Sequence, residues 1–431
     1  MSDYPLSRTV IGEGTAFSTV PMDRFRVNLL QAHLVLPLTR ETLTGNILVP
    51  MILGKSTKDY PTYQLFSKKL DRMYGATAGS SAHKIGDRLI VTLTVTAIDD
   101  AFALQGEELL KESAEVLCSM LFSPLIENGA FEEKTFRLQV QSLKDAIQAE
   151  INEKRRYALG QLNRLMFGDE PAGLARTDCL ADLDSFTPEM AAAAYERILD
   201  EARIEIIHVG MGDAAPALEV FRKAFAGRIR HPAALPDTVI TPGSGEVKEG
   251  MSRFDVTQSK LCFGFRSDIG PTDRRLNAMR MMNAILGGTP TSKLFLNVRE
   301  KLSLCYYCSA SFDRTKGALV VDSGVEHDNI EKAREAILDQ VAQMQRGDFT
   351  DTDMEYARLS LYNSFRSMNE SAHAVSGYYL GQLLQNTEET PELQCERIAA
   401  VTREEIIEAA NALRLDTVYC LTCQEEGGAD A

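Results

Sequence analysis

The chain contains no tryptophan, and only six histidines and eight cysteines among its 431 residues. Each scarcity closes off a class of function. His33, His83, His208, His231, His327 and His373 include no two that stand four apart, the spacing that brings two imidazoles to one helix face as metal ligands. Eight cysteines spread over this length do not make a disulfide scaffold, and they read as reduced thiols of a cytoplasmic protein. The longest apolar window, residues 47–53, contains Pro50 and falls far short of the roughly 20 residues a membrane span requires. The opening MSDYPLSRTV has neither a basic region nor an apolar run, so no export signal is expected. Positive charge is also short. A formal net charge of −15 excludes nucleic acid and anionic membrane as default partners, while permitting a neutral or cationic peptide.

What is present is an ordinary globular composition, 44% hydrophobic and 25% charged, over a length that favours two or more domains. The two halves repeat one another. ILGGTPTSKLFLNVREKLSLCYYC, residues 285–308, gives a helix end, two glycines, a Leu-Phe helix and a strand; residues 52–79, ILGKSTKDYPTYQLFSKKLDRMYGATAG, run through the same order. Tyr157-Ala-Leu-Gly-Gln-Leu162 returns as Tyr378-Tyr-Leu-Gly-Gln-Leu383, identical at five of six positions. Thr187 and Thr402 each open a helix as N-caps with acidic residues in the first turn, and each helix precedes a closing strand. A period of more than 200 residues is too long for a solenoid, whose units run about 20 to 50 residues, and indicates two homologous domains.

Apolar alternation and β-branched runs predict strands at 25–38 and 87–97, with helices at 42–53, 61–74, 103–121 and 131–167. Residues 228–250, with Pro232, Pro236, Pro242, Gly243, Gly245 and Gly250, read as a linker. Beyond it the pattern restarts: strand at 259–265, helix at 273–286, helix at 293–301, then strands at 305–312 and 317–324. Helices at 330–345, 353–367 and 372–384 follow. The expected organisation is α+β: domain 1–227, linker 228–250 and domain 251–431, each domain a mainly antiparallel sheet covered by helices.

Two motifs invite functional readings that their context weakens. Gly54-Lys55-Ser56 ends like a phosphate-binding loop, but Val49 occupies the first glycine position and the segment follows a helix, not a strand. Cys305/Cys308 and Cys420/Cys423 have metal-site spacing, yet both pairs fall in predicted strands, where residues three apart face opposite sides; buried thiols are the expectation. The charged stretches 127–133 and 150–156 read as solvated faces, and Met279, Met281 and Met282 as core.

The element order, its repetition and LFLNVREKLSLCY in the second half resemble the M16 metallopeptidases, which include pitrilysin, insulin-degrading enzyme and the mitochondrial processing peptidase. Within that family the chain is similar to the bacterial members associated with elongation factor P modification. The resemblance covers nearly the whole chain and implies a LuxS/MPP-like metallohydrolase fold. It also implies an inverted zinc motif, His-x-x-Glu-His, with a downstream acidic ligand. Zinc hydrolysis needs neutral imidazoles and a carboxylate that activates water. At the matching positions stand Asn46, Val49 and Pro50, and Ala146 takes the downstream ligand's place, with Asp145 beside it. The metal is expected to be absent from this chain, and no other cofactor is implied.

The second half matches the family's other requirement. Arg299 and Tyr306, seven apart, correspond to an Arg/Tyr pair that holds substrate and steadies the oxyanion from the half opposite the zinc, roles suited to a guanidinium fork and a phenol. Gly287 and Gly288 correspond to a glycine-rich loop. The resemblance therefore implies a noncatalytic, substrate-binding subunit of a clam-shell chamber, acting in trans on a zinc-bearing M16 partner as a heterodimer, or else as a self-dimer. An independent zinc endopeptidase and a purely structural M16-derived subunit are the alternatives.

Overall fold

The computed structural model describes residues 5–243 and 245–423. Its chain divides into two compact units, and neither is a continuous half of the sequence. The first comprises residues 1–147, 176–236 and 368–388; the second comprises 148–175, 237–367 and 389–431.

The first unit is built on a six-stranded sheet of β1 (Ser7–Gly12), β2 (Thr15–Pro21), β3 (Val27–Pro37), β4 (Thr77–Ile85), β5 (Arg88–Ile98) and β6 (Arg203–Gly210), in the order β1-β2-β6-β3-β5-β4. β2 and β6 run parallel and the other neighbours antiparallel. The second unit carries β7 (Lys248–Phe254), β8 (Ser259–Arg266), β9 (Cys305–Asp313), β10 (Ala318–Val325) and β11 (Arg414–Cys423), ordered β9-β10-β8-β11-β7. Here only β11 and β7 pair in parallel. Both sheets are mainly antiparallel and helix-covered, the α+β architecture expected.

Five helices matter to the argument below: α1 (Arg40–Leu53), α2 (Glu133–Asn152), α3 (Lys154–Phe167), α4 (Pro188–Glu201) and α5 (Ala372–Gln385). The near-identical segments at 157–162 and 378–383 lie on α3 and α5, and these two helices explain why the units are discontinuous. α5 comes from the second half, yet Val375, Tyr379, Leu380 and Leu384 pack against Val20, Leu29, Ile90 and Val209 of the first sheet. Conversely, Ala158 and Leu162 of α3 bury themselves against Cys262, Tyr419 and Leu421 of the second. Each half lends the other a helix. The single helical pattern at 131–167 accordingly breaks at Glu153, whose carboxylate accepts the N–H groups of Arg155 and Arg156 and so starts α3 as a separate helix.

The threonine caps form as the sequence indicates. Thr187 accepts from the Met190 N–H, and Thr402 exchanges hydrogen bonds with Glu405 in a capping box. The segment read as a linker is more firmly held than its prolines and glycines imply. Residues 228–243 lie outside helices and strands, but Lys248, Glu249 and Gly250 already belong to β7. Arg230, buried, donates to the carbonyls of Leu199, Glu13 and Ala202, and Pro236 O accepts from Arg88 at 2.8 Å. Lys316 reaches Val239 O at 3.1 Å within the second unit.

Candidate functional site

Asn46, Val49 and Pro50 sit on α1, a helix capped by Thr39, and all three are buried. Both polar atoms of the Asn46 side chain are hydrogen-bonded. Its Oδ1 accepts from Arg197 Nη2 of α4 at 2.5 Å, its Nδ2 donates to Thr42 Oγ1 at 3.2 Å, and Arg197 is held on its other side by Glu201. The position matching the first histidine therefore ties two helices together, with a guanidinium already on its oxygen. Val49 is completely buried and has no group that takes a proton. Pro50 lacks an N–H, so it cannot close the helical bond to residue 46, and its carbonyl accepts from Ser80 Oγ of β4 at 2.6 Å. Ala146, half-buried on α2, offers a methyl group. Asp145 beside it is exposed and accepts from Gln141 one turn earlier at 2.7 Å. These residues do not fit a zinc ion: one amide bound to a cation and three hydrocarbons supply neither imidazole nor carboxylate. Among the described residues no group of three or more His, Cys, Asp or Glu side chains is placed to hold a metal.

The Arg/Tyr pair and the two glycines lie in the second unit. The predicted helix at 273–286 is α-helical over Leu276–Asn283 and then widens into a π-helix, Ala284–Gly288. The helix expected at 293–301 is π-helical over Leu294–Lys301, closed by the Leu302 N–H on Asn297 O at 3.0 Å. π-helices are rare and concentrate at functional sites, and two stand here within residues 284–301. Met279, Met281 and Met282 are buried core residues.

Gly287 and Gly288 have different tasks. A Cβ on Gly287 would stand 2.6 Å from the Ala310 backbone N and 2.6 Å from its Cβ, so the missing side chain lets the helix end close onto β9. Gly288 is exposed, and a Cβ there would meet Asn283 at 3.0–3.1 Å. Gly287→Val is therefore expected to lower unfolding stability by about 1–3 kcal/mol in urea titration, and Gly288→Ala by distinctly less. Equal small losses would remove the packing role assigned to Gly287.

Arg299 is 38% exposed; it stacks on the Phe295 ring at 4.5 Å and pairs with its neighbour Glu300 at 3.4 Å. Tyr306 is 59% exposed and donates to Glu326 Oε1 at 3.2 Å, a bond to a carboxylate that raises the phenol pKa. Both side chains thus keep much of their polar surface in solvent. Tyr306 owes its position to a β-bulge. Cys305 pairs with Val325 and Tyr307 with Gly324, which leaves Tyr306 as the extra residue of β9. The bulge also corrects the reading of Cys305 and Cys308: the added residue restores their parity, so both thiols face the same hydrophobic core.

Sequence reasoning missed Arg197, which lies 151 positions from Asn46 and shares no motif with it. Arg197 also lines an open cleft of about 580 Å³ with Phe122, Glu196, Asp200 and Arg228, all in the first unit. Two buried histidines went unassigned. His33 bonds Thr92 Oγ1 at 2.9 Å and Ser376 Oγ of α5 at 3.3 Å, and burial, aided by nearby His83, lowers its pKa to about 3. His208 lies in a chain with a readable tautomer. Asn28 Nδ2 donates to Asp99, so Asn28 Oδ1 accepts from His208 Nε2, and Nδ1 is left to accept from Thr19. Burial lowers its pKa to about 4.

The chain is similar to several known proteins. A family profile described as "Peptidase M16 inactive domain" matches residues 185–361. A Bacillus subtilis (strain 168) protein named "Probable inactive metalloprotease YmfF" is 30% identical over 412 residues, covering 95% of this chain and 96% of that one. The crystal structure of a conserved protein from Enterococcus faecalis V583 superimposes with a TM-score of 0.90 at 27% identity, covering 98% of this chain and all of the other. A structure described as a peptidase M16 inactive domain from Pseudomonas fluorescens shares the fold, with a TM-score of 0.80 at 15% identity, over 98% of this chain and 100% of that one.

Proposed function

This chain belongs to the M16 peptidase family, and from that membership we propose that it is a noncatalytic subunit that binds peptide or protein substrate and completes the site of a zinc-bearing M16 partner. The observation that carries the reading is the Asn46–Arg197 bond on a helix whose other motif positions are Val49 and Pro50. A guanidinium on the Asn46 oxygen supplies fixed positive charge beside the first ligand position, and a nearby divalent cation would have to work against it.

Two features support substrate binding. β4 is the last strand of its sheet, paired there with β5, and an edge of this kind is where an extended peptide adds to a sheet. Arg299 and Tyr306 present a cationic fork and a phenol with little of either tied up inside the unit. In a heterodimer these would meet the substrate carbonyl that the partner's zinc polarises, while this chain contributes no metal of its own.

The test is to assay the purified chain on a generic fluorogenic peptide, alone and with the zinc-bearing M16 peptidase of the same cell, and to measure its zinc content. The expected results are substoichiometric zinc, no turnover alone, and a rise in turnover when the two are mixed. Turnover by the chain alone, lost on chelation, would make it an independent endopeptidase. Stable association without any change in turnover would make it a scaffold.

A further inference from the structure

We propose that the outer face of the helix Asp351–Met368 is an interaction surface for a second copy of this chain, paired antiparallel with the same helix of that copy. The inference goes beyond the proposed partner function and rests on other residues, so it is measured without a partner or a substrate.

The helix carries two apolar stripes where one would suffice. Met354, Ala357, Leu361 and Phe365, at helical spacing, turn inward onto the core of the second unit. That stripe accounts for the helix's place in the fold, and a surface helix of this kind is ordinarily polar on its other side. Here the other side holds Tyr356, Leu359 and Tyr362, which stay 49%, 55% and 46% exposed. Set three apart, they follow one another along the same side of the helix. α2 stands in the corresponding place of the first half, directly before the repeated segment on α3, and its only exposed large apolar side chain is Leu138. The fold therefore does not demand the second stripe.

The charges at the ends of the stripe point to what covers it. Glu355 lies at one end and Arg366 at the other, both exposed and neither ion-paired among the described residues. A second copy laid antiparallel, with the twofold axis midway between these two positions, puts Glu355 of each copy opposite Arg366 of the other. At a rise of about 1.5 Å per residue, the same axis brings Leu359 of one copy level with Tyr362 of the other and sets Tyr356 beside Arg366. The face is thus complementary to itself, as a twofold contact requires, and the two helix dipoles oppose. Tyrosine suits such a surface, because its ring is covered while its hydroxyl reaches the wet rim.

Three half-exposed side chains of this size leave roughly 300 Å² of surface per copy. With their polar rims, two such faces approach the roughly 1,000 Å² at which specific interfaces begin. Association is therefore weak and concentration-dependent.

Sedimentation velocity of the full chain, from low micromolar to submillimolar concentration, should show the mass rising from one copy towards two. Leu359→Glu places a carboxylate at the centre of the face and should weaken association about 10-fold or more. Thermal unfolding should barely shift in that variant, because the position is exposed. Glu355→Arg and Arg366→Glu should each weaken self-association by setting like charges at both ends of the contact. Mixing these two variants should restore it, since one chain then presents two arginines to two glutamates of the other. The inference is overturned if the parent chain stays a single copy throughout, if Leu359→Glu associates equally well, or if the mixed variants associate no better than each alone. A parent chain that is a single copy by itself, yet loses its binding to the zinc-bearing peptidase on Leu359→Glu, would assign this face to that partner. That result also overturns the inference and leaves the reading of Arg299 and Tyr306 intact.

Discussion

Arg299→Ala, assayed in the complex with the zinc-bearing partner, is expected to lower peptide turnover about 10²–10³-fold while leaving the chain folded. The two halves of that expectation have separate causes. Inside its own unit the guanidinium has an adjacent glutamate at 3.4 Å and a ring beneath it, with 38% of the side chain open to solvent. Exposed contacts of this kind contribute roughly 0–1 kcal/mol, so thermal unfolding should shift only slightly. A fixed donor to a developing oxyanion is worth far more, because its strength is felt in the transition state. The loss should therefore fall mainly in kcat. Lysine should not rescue it, since an ammonium lacks the planar fork. Tyr306→Phe removes one hydroxyl and leaves the ring on its bulge, and a drop of about 10-fold or more is expected if that hydroxyl shares the oxyanion. If both variants stimulate the partner as well as the parent chain does, the pair has no role in trans.

Much of this molecule could be read from periodicity, and the parts that could not share a physical reason. The central strands, the threonine caps and the methionine core announce themselves through alternation and local chemistry over a few residues. β1, an exposed edge strand, has no apolar alternation to mark it, and β7 begins inside a segment whose glycines and prolines read as linker. Both belong to outer parts of their sheets, where pairing with a distant strand decides the structure and side-chain burial does not. The two π-helices carry the same apolar residues an α-helix would, so their i→i+5 bonds leave no trace in the pattern. A bulge of one residue at Tyr306 reverses the face of everything beyond it, which is why the Cys305/Cys308 spacing misled. Likewise, the repeat at 157–162 and 378–383 was visible, but nothing local says that each copy packs on the sheet of the other half. At the candidate site the substitutions Asn46, Val49 and Pro50 were legible, while the Arg197 that engages Asn46 was not.

Stability should fall by about 5 kcal/mol between pH 7.5 and pH 4.5, with His33 and His208 as the cause. Both imidazoles are buried and hydrogen-bonded as neutral rings, with folded pKa values of about 3 and about 4. Unfolded, each titrates near 6.5. Between these limits the unfolded chain binds protons that the folded chain refuses. The stabilisation is thus complete above about pH 6.5 and is lost as pH falls towards the folded values, at up to about 1.4 kcal/mol per pH unit for each ring. His83, also lowered by burial, adds in the same direction. Carboxylates with depressed pKa values, such as Glu170, Asp182 and Asp273, lose their contribution only at lower pH, so this interval belongs to the histidines. Urea midpoints measured across it should decline steadily in the parent chain. His33→Gln and His208→Gln each remove one titrating ring and should each flatten the slope, whatever they do to stability at neutral pH. An unchanged slope in the double variant would show that the two rings are not what links folding to acid. The His33 bond to Ser376 gives the loss a place as well: it joins β3 to α5, the helix contributed by the other half, so amide exchange along α5 should rise in acid ahead of exchange in the central strands.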